Sequence, residues 1–306
     1  MVGIKYPIFQ GGMAHISDAS LAAAVSSAGG LGIITAASGD TAWVEEQIDA
    51  VRAATDNPFG VNVMLMGKNV DEIAELLARK KVSVVTTGAG NPEKYIPMWK
   101  EAGIKVIPVV PSSALAKLVA RSGADAVIAE GGESGGHVGD MTTMALVPQV
   151  CDAVDIPVIA AGGIADGRGA AAAFMLGAQG IQVGTAFLAA KECNISEVYK
   201  KKVLNAGDTA TIVTGRRLGH PVRSLKSPFS RAYAKAEYSD ISDEDLENMG
   251  VGTLRAAVKD GDEKHGCFLA GQISGLVNSE RPAAEIIKDI FDGAEKILNG
   301  ANKWVK

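Results

Sequence analysis

Short runs of β-branched and aliphatic residues alternate along this chain with stretches whose apolar positions recur every three or four residues. The first pattern predicts strands and the second amphipathic helices. Strands are predicted at 7–10, 32–35, 60–64, 82–86, 105–109, 126–130, 158–161 and 180–184, with helices between them at 18–27, 43–54, 69–79, 92–102, 112–122, 143–154 and 167–176. Eight strands alternating with helices at near-regular spacing predict an α/β chain folded as a (β/α)8 TIM barrel, although a doubly wound sheet shares the local alternation. The period breaks after Gly184. Over 190–272 no alternating strands stand out, and polar helical patches are punctuated by Gly219, Pro221, Pro228 and Gly250, which predicts a small, mainly helical inserted domain. The last apolar stripe, Ile286, Ile287, Ile290, Ala294 and Ile297, predicts a closing helix, so the barrel is expected over 1–189 and 273–306.

Composition narrows the class of partner. The 306 residues are 47% hydrophobic, enough for a substantial core. Glycine, at 36 residues, is abundant without a repeat or a polar tract, so the glycines are read as serving turns and close backbone approaches. Thirty basic against thirty-five acidic residues leave a net charge of −5, and no nucleic-acid partner is expected. Cys151, Cys193 and Cys267 are odd in number and widely spaced, matching neither a disulfide framework nor a zinc pattern; a cytoplasmic, reduced protein is expected. The uncharged stretch 19–39 contains too many serines and glycines to read as a membrane span.

Chemistry in such a barrel sits beyond the C-terminal ends of the strands, and phosphate is often held by the loops after strands seven and eight. Here those loops read Ala161-Gly162-Gly163-Ile164 and Gly184-Thr185. Glycines let backbone N–H groups approach phosphate oxygens, and the threonine hydroxyl adds a donor. Either pair alone is a simple turn; both together favour a phosphate-bearing cofactor. Gln10-Gly11-Gly12-Met13 ends strand one and Asn62 lies near the end of strand three; each is either a turn element or a contact to a flat ring. Gly167-Arg168-Gly169 nominally matches a dinucleotide fingerprint but does not open directly off its strand, so it is assigned to a helix start. No ATP-binding glycine loop is present.

The run after strand six, Glu130-Gly131-Gly132-Glu133-Ser134-Gly135-Gly136-His137-Val138-Gly139, places a histidine among residues with no side chains to pack against it. His137 is therefore the catalytic candidate, whereas His15, His220 and His265 are read as structural or exposed, and the four lack metal-ligand spacing. Arg216, Arg217, His220, Arg223, Lys226, Arg231 and Lys235 form a basic interval that is either a solvated face or a site for an acidic carrier or cofactor phosphate.

Glu133-Ser134-Gly135-Gly136-His137-Val138-Gly139, Thr142-Thr143 and the run from Pro157 through Ala161-Gly162-Gly163-Ile164 to Gly167 resemble the nitronate monooxygenase and 2-nitropropane dioxygenase superfamily of FMN barrels. Gly219-His220-Pro221-Val222-Arg223, Tyr233-Ala234-Lys235-Ala236-Glu237 and Ala270-Gly271-Gln272-Ile273-Ser274-Gly275-Leu276 resemble its FMN-dependent enoyl-acyl-carrier-protein reductase II branch, the FabK type. Many relatives carry arginine where this chain has Ala186, which bears only on one added charged contact. The resemblance implies bound FMN, with NADH or NADPH as co-substrate, and reduction of a trans-2-enoyl thioester on acyl carrier protein in fatty-acid elongation. FMN would then lie against Gly11, Gly12, Met13, Asn62, Glu130, Ser134, Gly135, Ala161, Gly162, Gly163, Ile164, Gly184 and Thr185, with His137 at the reacting carbon. A homodimer without a membrane partner is expected. The alternatives are a nitronate monooxygenase and a non-catalytic flavin-binding or carrier-docking protein.

Overall fold

A computed structural model describes residues 1–304. Strands β1 (Ile8–Gln10), β2 (Gly32–Thr35), β3 (Phe59–Met64), β4 (Val84–Gly88), β5 (Lys105–Val110) and β6 (Val127–Glu130) follow one another, then the two-residue strand β7 (Gly136–His137), then β8 (Val158–Ala161) and β9 (Gly180–Val183). All but β7 form one parallel sheet in the order β1-β9-β8-β6-β5-β4-β3-β2. A parallel bridge between Phe9 and Leu31 brings the ends together, closing the barrel that the strand count implied. Gln10 braces that seam: its buried amide donates to Ser17 Oγ at 2.8 Å and accepts from the Ile33 N–H at 3.0 Å. The barrel is filled, since Phe9, Ile33, Val84, Ile107, Ile128 and Ile159 form one buried cluster.

The outer helices are α1 (Ala19–Ser27), α2 (Thr41–Ala54), α3 (Val70–Lys80), α4 (Ile96–Glu101), α5 (Ser113–Arg121), α6 (Thr143–Cys151) and α7 (Gly167–Met175). Asp18, Asp40, Ser112 and Asp166 start four of them by accepting backbone N–H bonds as N-caps. The insertion carries α8 (Glu197–Leu204), β10 (Thr211–Thr214), β11 (Val222–Leu225), α9 (Pro228–Glu237), α10 (Asp243–Gly250) and the short α11 (Thr253–Arg255), which runs on into a π-helical turn at Ala256–Asp260. The chain ends on α12 (Ala283–Asn299), whose Ile286, Ile287 and Ile290 are buried; each such burial contributes roughly 1.5–3 kcal/mol. Gly167 explains how α12 lies so close to α7: a Cβ there would come within 2.4 Å of the Ala294 nitrogen. The glycine fingerprint at 167–169 is thus a helix-packing feature.

The expectation of no strands in the insertion is corrected. β10 and β11 form an antiparallel hairpin, and β11 pairs antiparallel with β7, giving a three-stranded sheet β10-β11-β7 across the barrel mouth. Each strand has four residues or fewer, too short for an alternating pattern to show. The insertion shares its core with the barrel, because Tyr199, Val203, Ala257, Val258 and Phe268 lie in one hydrophobic cluster with Ile181, Leu188 and Ile287. No helix among the described residues is long and apolar enough to cross a membrane.

Candidate active site

At the C-terminal ends of the barrel strands lies a cavity of about 580 Å³. Every residue named as a catalytic or cofactor-binding candidate faces it: Gly11, Gly12 and Met13 after β1, Asn62 on β3, Glu130, Ser134, Gly135 and His137 around β6 and β7, Ala161, Gly162, Gly163 and Ile164 after β8, and Gly184 and Thr185 after β9. Glu133, Gln182, Gly219, His220, Leu269, Gly271 and Ile273 also line it and were not singled out as site residues. His220 is exposed, as expected, but its place in the cavity wall was not. Its place in the basic interval, and in the Gly219-His220-Pro221-Val222-Arg223 run that resembles the reductase branch, was the signal that could have found it. His15 and His265 stay outside the lining, the latter bonded to Asp262 at 2.8 Å.

The loop after β8 has successive left-handed glycines, Gly162 at φ +89° and Gly163 at +72°. A side chain at Gly162 would also meet the Gly131 carbonyl at 2.7 Å, so the turn requires glycine twice over. Next to it, Thr142 makes no capping bond to α6. The Glu133 carboxylate takes its place, accepting from Thr143 N at 2.9 and 3.0 Å. Thr143 Oγ1 lies 2.9 Å from that carboxylate and 3.0 Å from the Gly162 carbonyl, and so locks the two loops together. After β9, the strand next to β8, Thr185 Oγ1 accepts from Gly271 N at 2.8 Å, which leaves the threonine O–H free to donate to a ligand oxygen. Thr86 Oγ1 donates to Asn62 Oδ1 at 2.9 Å; with its oxygen so engaged, Asn62 has its amide hydrogens to offer.

Two titratable groups in the wall are displaced from their ordinary ranges. Burial pushes the Glu130 carboxyl up to about 7 despite a hydrogen bond from Ser134 at 2.8 Å. Burial also lowers His137, and the neighbouring His220 lowers it further, so a neutral imidazole is favoured. His137 is held by main chain: it stands opposite Val222 of β11, and Val138 N donates to the Pro221 carbonyl at 3.0 Å. Arg223, next on β11, donates through Nε and Nη2 to the Gly132 carbonyl at 3.1 and 2.9 Å and through Nη1 to Thr211 at 3.0 Å. The histidine loop is thereby tied to the insertion.

The basic interval divides. Arg217 is part of the fold, donating to the carbonyls of Ser239 and Ile241 and pairing with Asp243 at 2.8 Å. Arg216 lies exposed, 3.3 Å from the still more exposed Asp140. No lysine or arginine lines the cavity among the described residues, and no cluster of three or more histidine, cysteine or acidic side chains there could hold a metal ion. An anionic group in this cavity has no lysine or arginine to rest on, and the loops after β8 and β9 offer it backbone N–H groups and the Thr185 hydroxyl.

A family model described as nitronate monooxygenase matches residues 1–78 and 64–293. Among solved structures, FabK from Thermotoga maritima is 48% identical with a TM-score of 0.97, covering 99% of this chain and 97% of that one. A (3aS,4S,5R,7aS)-5-hydroxy-7a-methyl-1-oxo-octahydro-1H-indene-4-carboxyl-CoA dehydrogenase of Mycobacterium tuberculosis is 34% identical over 100% of this chain and 98% of its own length. A probable nitronate monooxygenase of Staphylococcus aureus is 35% identical, with 97% of each covered. Matched by the model over nearly its whole length, the chain belongs to the nitronate monooxygenase family.

Proposed function

We propose that this protein is an FMN-dependent, NAD(P)H-linked enoyl-acyl-carrier-protein reductase. The observation that carries the reading is the likeness to FabK across both barrel and insertion, since the barrel motifs are common to the family while the insertion motifs belong to the reductase branch. A thioester is also the kind of substrate named for the Mycobacterium relative.

The residues suit a flavin mononucleotide. Its single phosphate fits the glycine and threonine loops at Gly162, Gly163, Ile164, Gly184 and Thr185, where no cation is at hand and none is needed. Gly11, Gly12, Met13, Asn62, Glu130, Ser134, Gly135 and Ala161 would surround the ring system. Bound there, FMN would supply the redox chemistry, carrying hydride from NADH or NADPH to the β-carbon of the enoyl chain. The protein's share is orientation and charge. As hydride adds, the thioester oxygen gains enolate charge, and a donor aimed at it lowers the barrier. His137 can supply that donor, or a proton to the α-carbon. Glu130, whose carboxyl burial pushes up to about 7, is mostly protonated below that pH and there adds little negative charge to the cavity.

Anaerobic oxidation of NADH or NADPH that depends on crotonyl thioester tests the reading, together with release of FMN from the denatured protein. The second reading, nitronate oxidation, is favoured by the names of several relatives. Oxygen uptake driven by a nitronate, without enoyl-dependent turnover, would establish it instead.

A further inference from the structure

On that reading, reduction of the enoyl chain would consume one solvent proton per turnover: the hydride that reaches the β-carbon would originate on the nicotinamide, and the α-carbon must gain a proton. His137 faces the cavity, so a bound flavin and acyl chain would cover it. Some group must then connect it to water.

The sheet at the barrel mouth supplies one. Val222 stands opposite His137, Val138 N donates to the Pro221 carbonyl at 3.0 Å, and His220 is the next residue back, in the turn that leads into β11. Both imidazoles line the cavity. His220 sits in the turn between β10 and β11, held by its own N–H to the Gly215 carbonyl at 3.1 Å. The buried Glu237 carboxylate anchors that turn from α9, accepting from Gly215 N at 3.1 Å and Arg217 N at 2.8 Å.

Building on the enoyl reductase reading, we propose that His220 is the solvent-side member of a two-imidazole relay that returns a proton to His137 in each turnover. Water or buffer protonates His220, which passes the proton to His137. His137 then gives it to the α-carbon as the C–H bond forms and the enolate electrons close the thioester carbonyl. Both rings end neutral. The charged and titratable groups facing the pair are Glu130 at the end of β6, Glu133 in the β6–β7 loop, Arg223 on β11, and Arg216 with Asp140 at the rim. His220 acts through His137 and is a positioning residue for the proton.

Stopped-flow measurement on the flavin-loaded His220→Gln protein tests this, with His265→Gln as a control. Flavin content and reduction by NAD(P)H should match the parent, while reoxidation by crotonyl thioester slows about tenfold, less than for loss of a direct acid. Added imidazole should restore the rate in proportion to its protonated form. The pH limit of reoxidation should also move upward, since His220 no longer lowers the His137 pKa. Unchanged reoxidation overturns the relay. So does a loss that imidazole cannot rescue, or an equal loss in the nicotinamide step, either of which marks a structural role. A parent protein that never reoxidises with crotonyl thioester fails the functional reading itself, a result visible in the same traces.

Discussion

Across the mouth of the cavity, the loops after β8 and β9 face the small sheet of β7, β11 and β10. The first side presents backbone, with Gly162 and Gly163 in left-handed conformations and Thr185 as the only hydroxyl among Gly162, Gly163, Gly184 and Thr185. The second presents side chains, His137 on β7 and His220 in the turn before β11, with Arg223 tying β11 to the histidine loop. A site made of main chain is damaged by adding atoms, whereas a site made of side chains is damaged by removing them. The two sides therefore call for opposite kinds of variant, and each should spare the function of the other.

The largest effect is expected at Gly184. Unlike Gly162, it has an ordinary φ of −112°, and a Cβ would find only Met13 Sδ at 3.7 Å, so substitution there adds little strain. Gly184→Asp should fold and yet purify without flavin, because its carboxylate repels the phosphate. Full flavin absorbance in a folded variant would break the assignment of this rim. On the opposite rim, His137→Ala should keep flavin and its reduction by NAD(P)H while enoyl reoxidation falls by roughly 10²–10⁴-fold. Loss of flavin in that variant would erase the distinction between the rims.

Glu130 lies between the two, and its effect is on stability. Its folded pKa of about 7 exceeds the ordinary 4.5, so the folded state holds its proton more tightly than the unfolded chain does. Stability from this group is complete below pH 4.5 and is lost as pH rises towards 7. Glu130→Gln should then be more stable than the parent at pH 8, by up to roughly 3 kcal/mol, and indistinguishable at pH 4. Denaturant melts at the two pH values decide it; a parallel shift at both would rule out the raised carboxyl.

Smaller changes sharpen the second rim. Arg223→Lys cannot reproduce a fork of two bonds to Gly132, and should cost about 1–3 kcal/mol of stability. It should also lower enoyl turnover more than nicotinamide turnover, in contrast to an effect on folding alone. Arg216→Glu, at an exposed and weakly paired position, should raise KM for the carrier-borne substrate a few-fold without changing that for a small thioester, the size expected of a rim charge. Arg217→Glu is a poor probe of the same idea, because its guanidinium holds the hairpin to α9 and α10.

The alternation of apolar runs by itself determined the eight barrel strands and the positions of the glycine loops. Strand and helix periods are local, and a barrel binds at its strand ends, so the residues after each strand could be read as a site before their positions were known. Ala161-Gly162-Gly163 and His137 were legible for that reason. What remained for the tertiary structure were contacts between segments far apart in the chain. β10 and β11 are too short to show a period, and the pairing of β11 with β7 joins residues more than eighty positions apart. That pairing turned His220 from a loop histidine into a cavity residue and tied Arg223 to the histidine loop. The fold also brings the Glu133 carboxylate to the start of α6, ten residues on, where Thr142 makes no capping bond. Burial set the Glu130 carboxyl near 7 and lowered His137, because the cost of charging a group depends on everything folded around it, which no local run of sequence records.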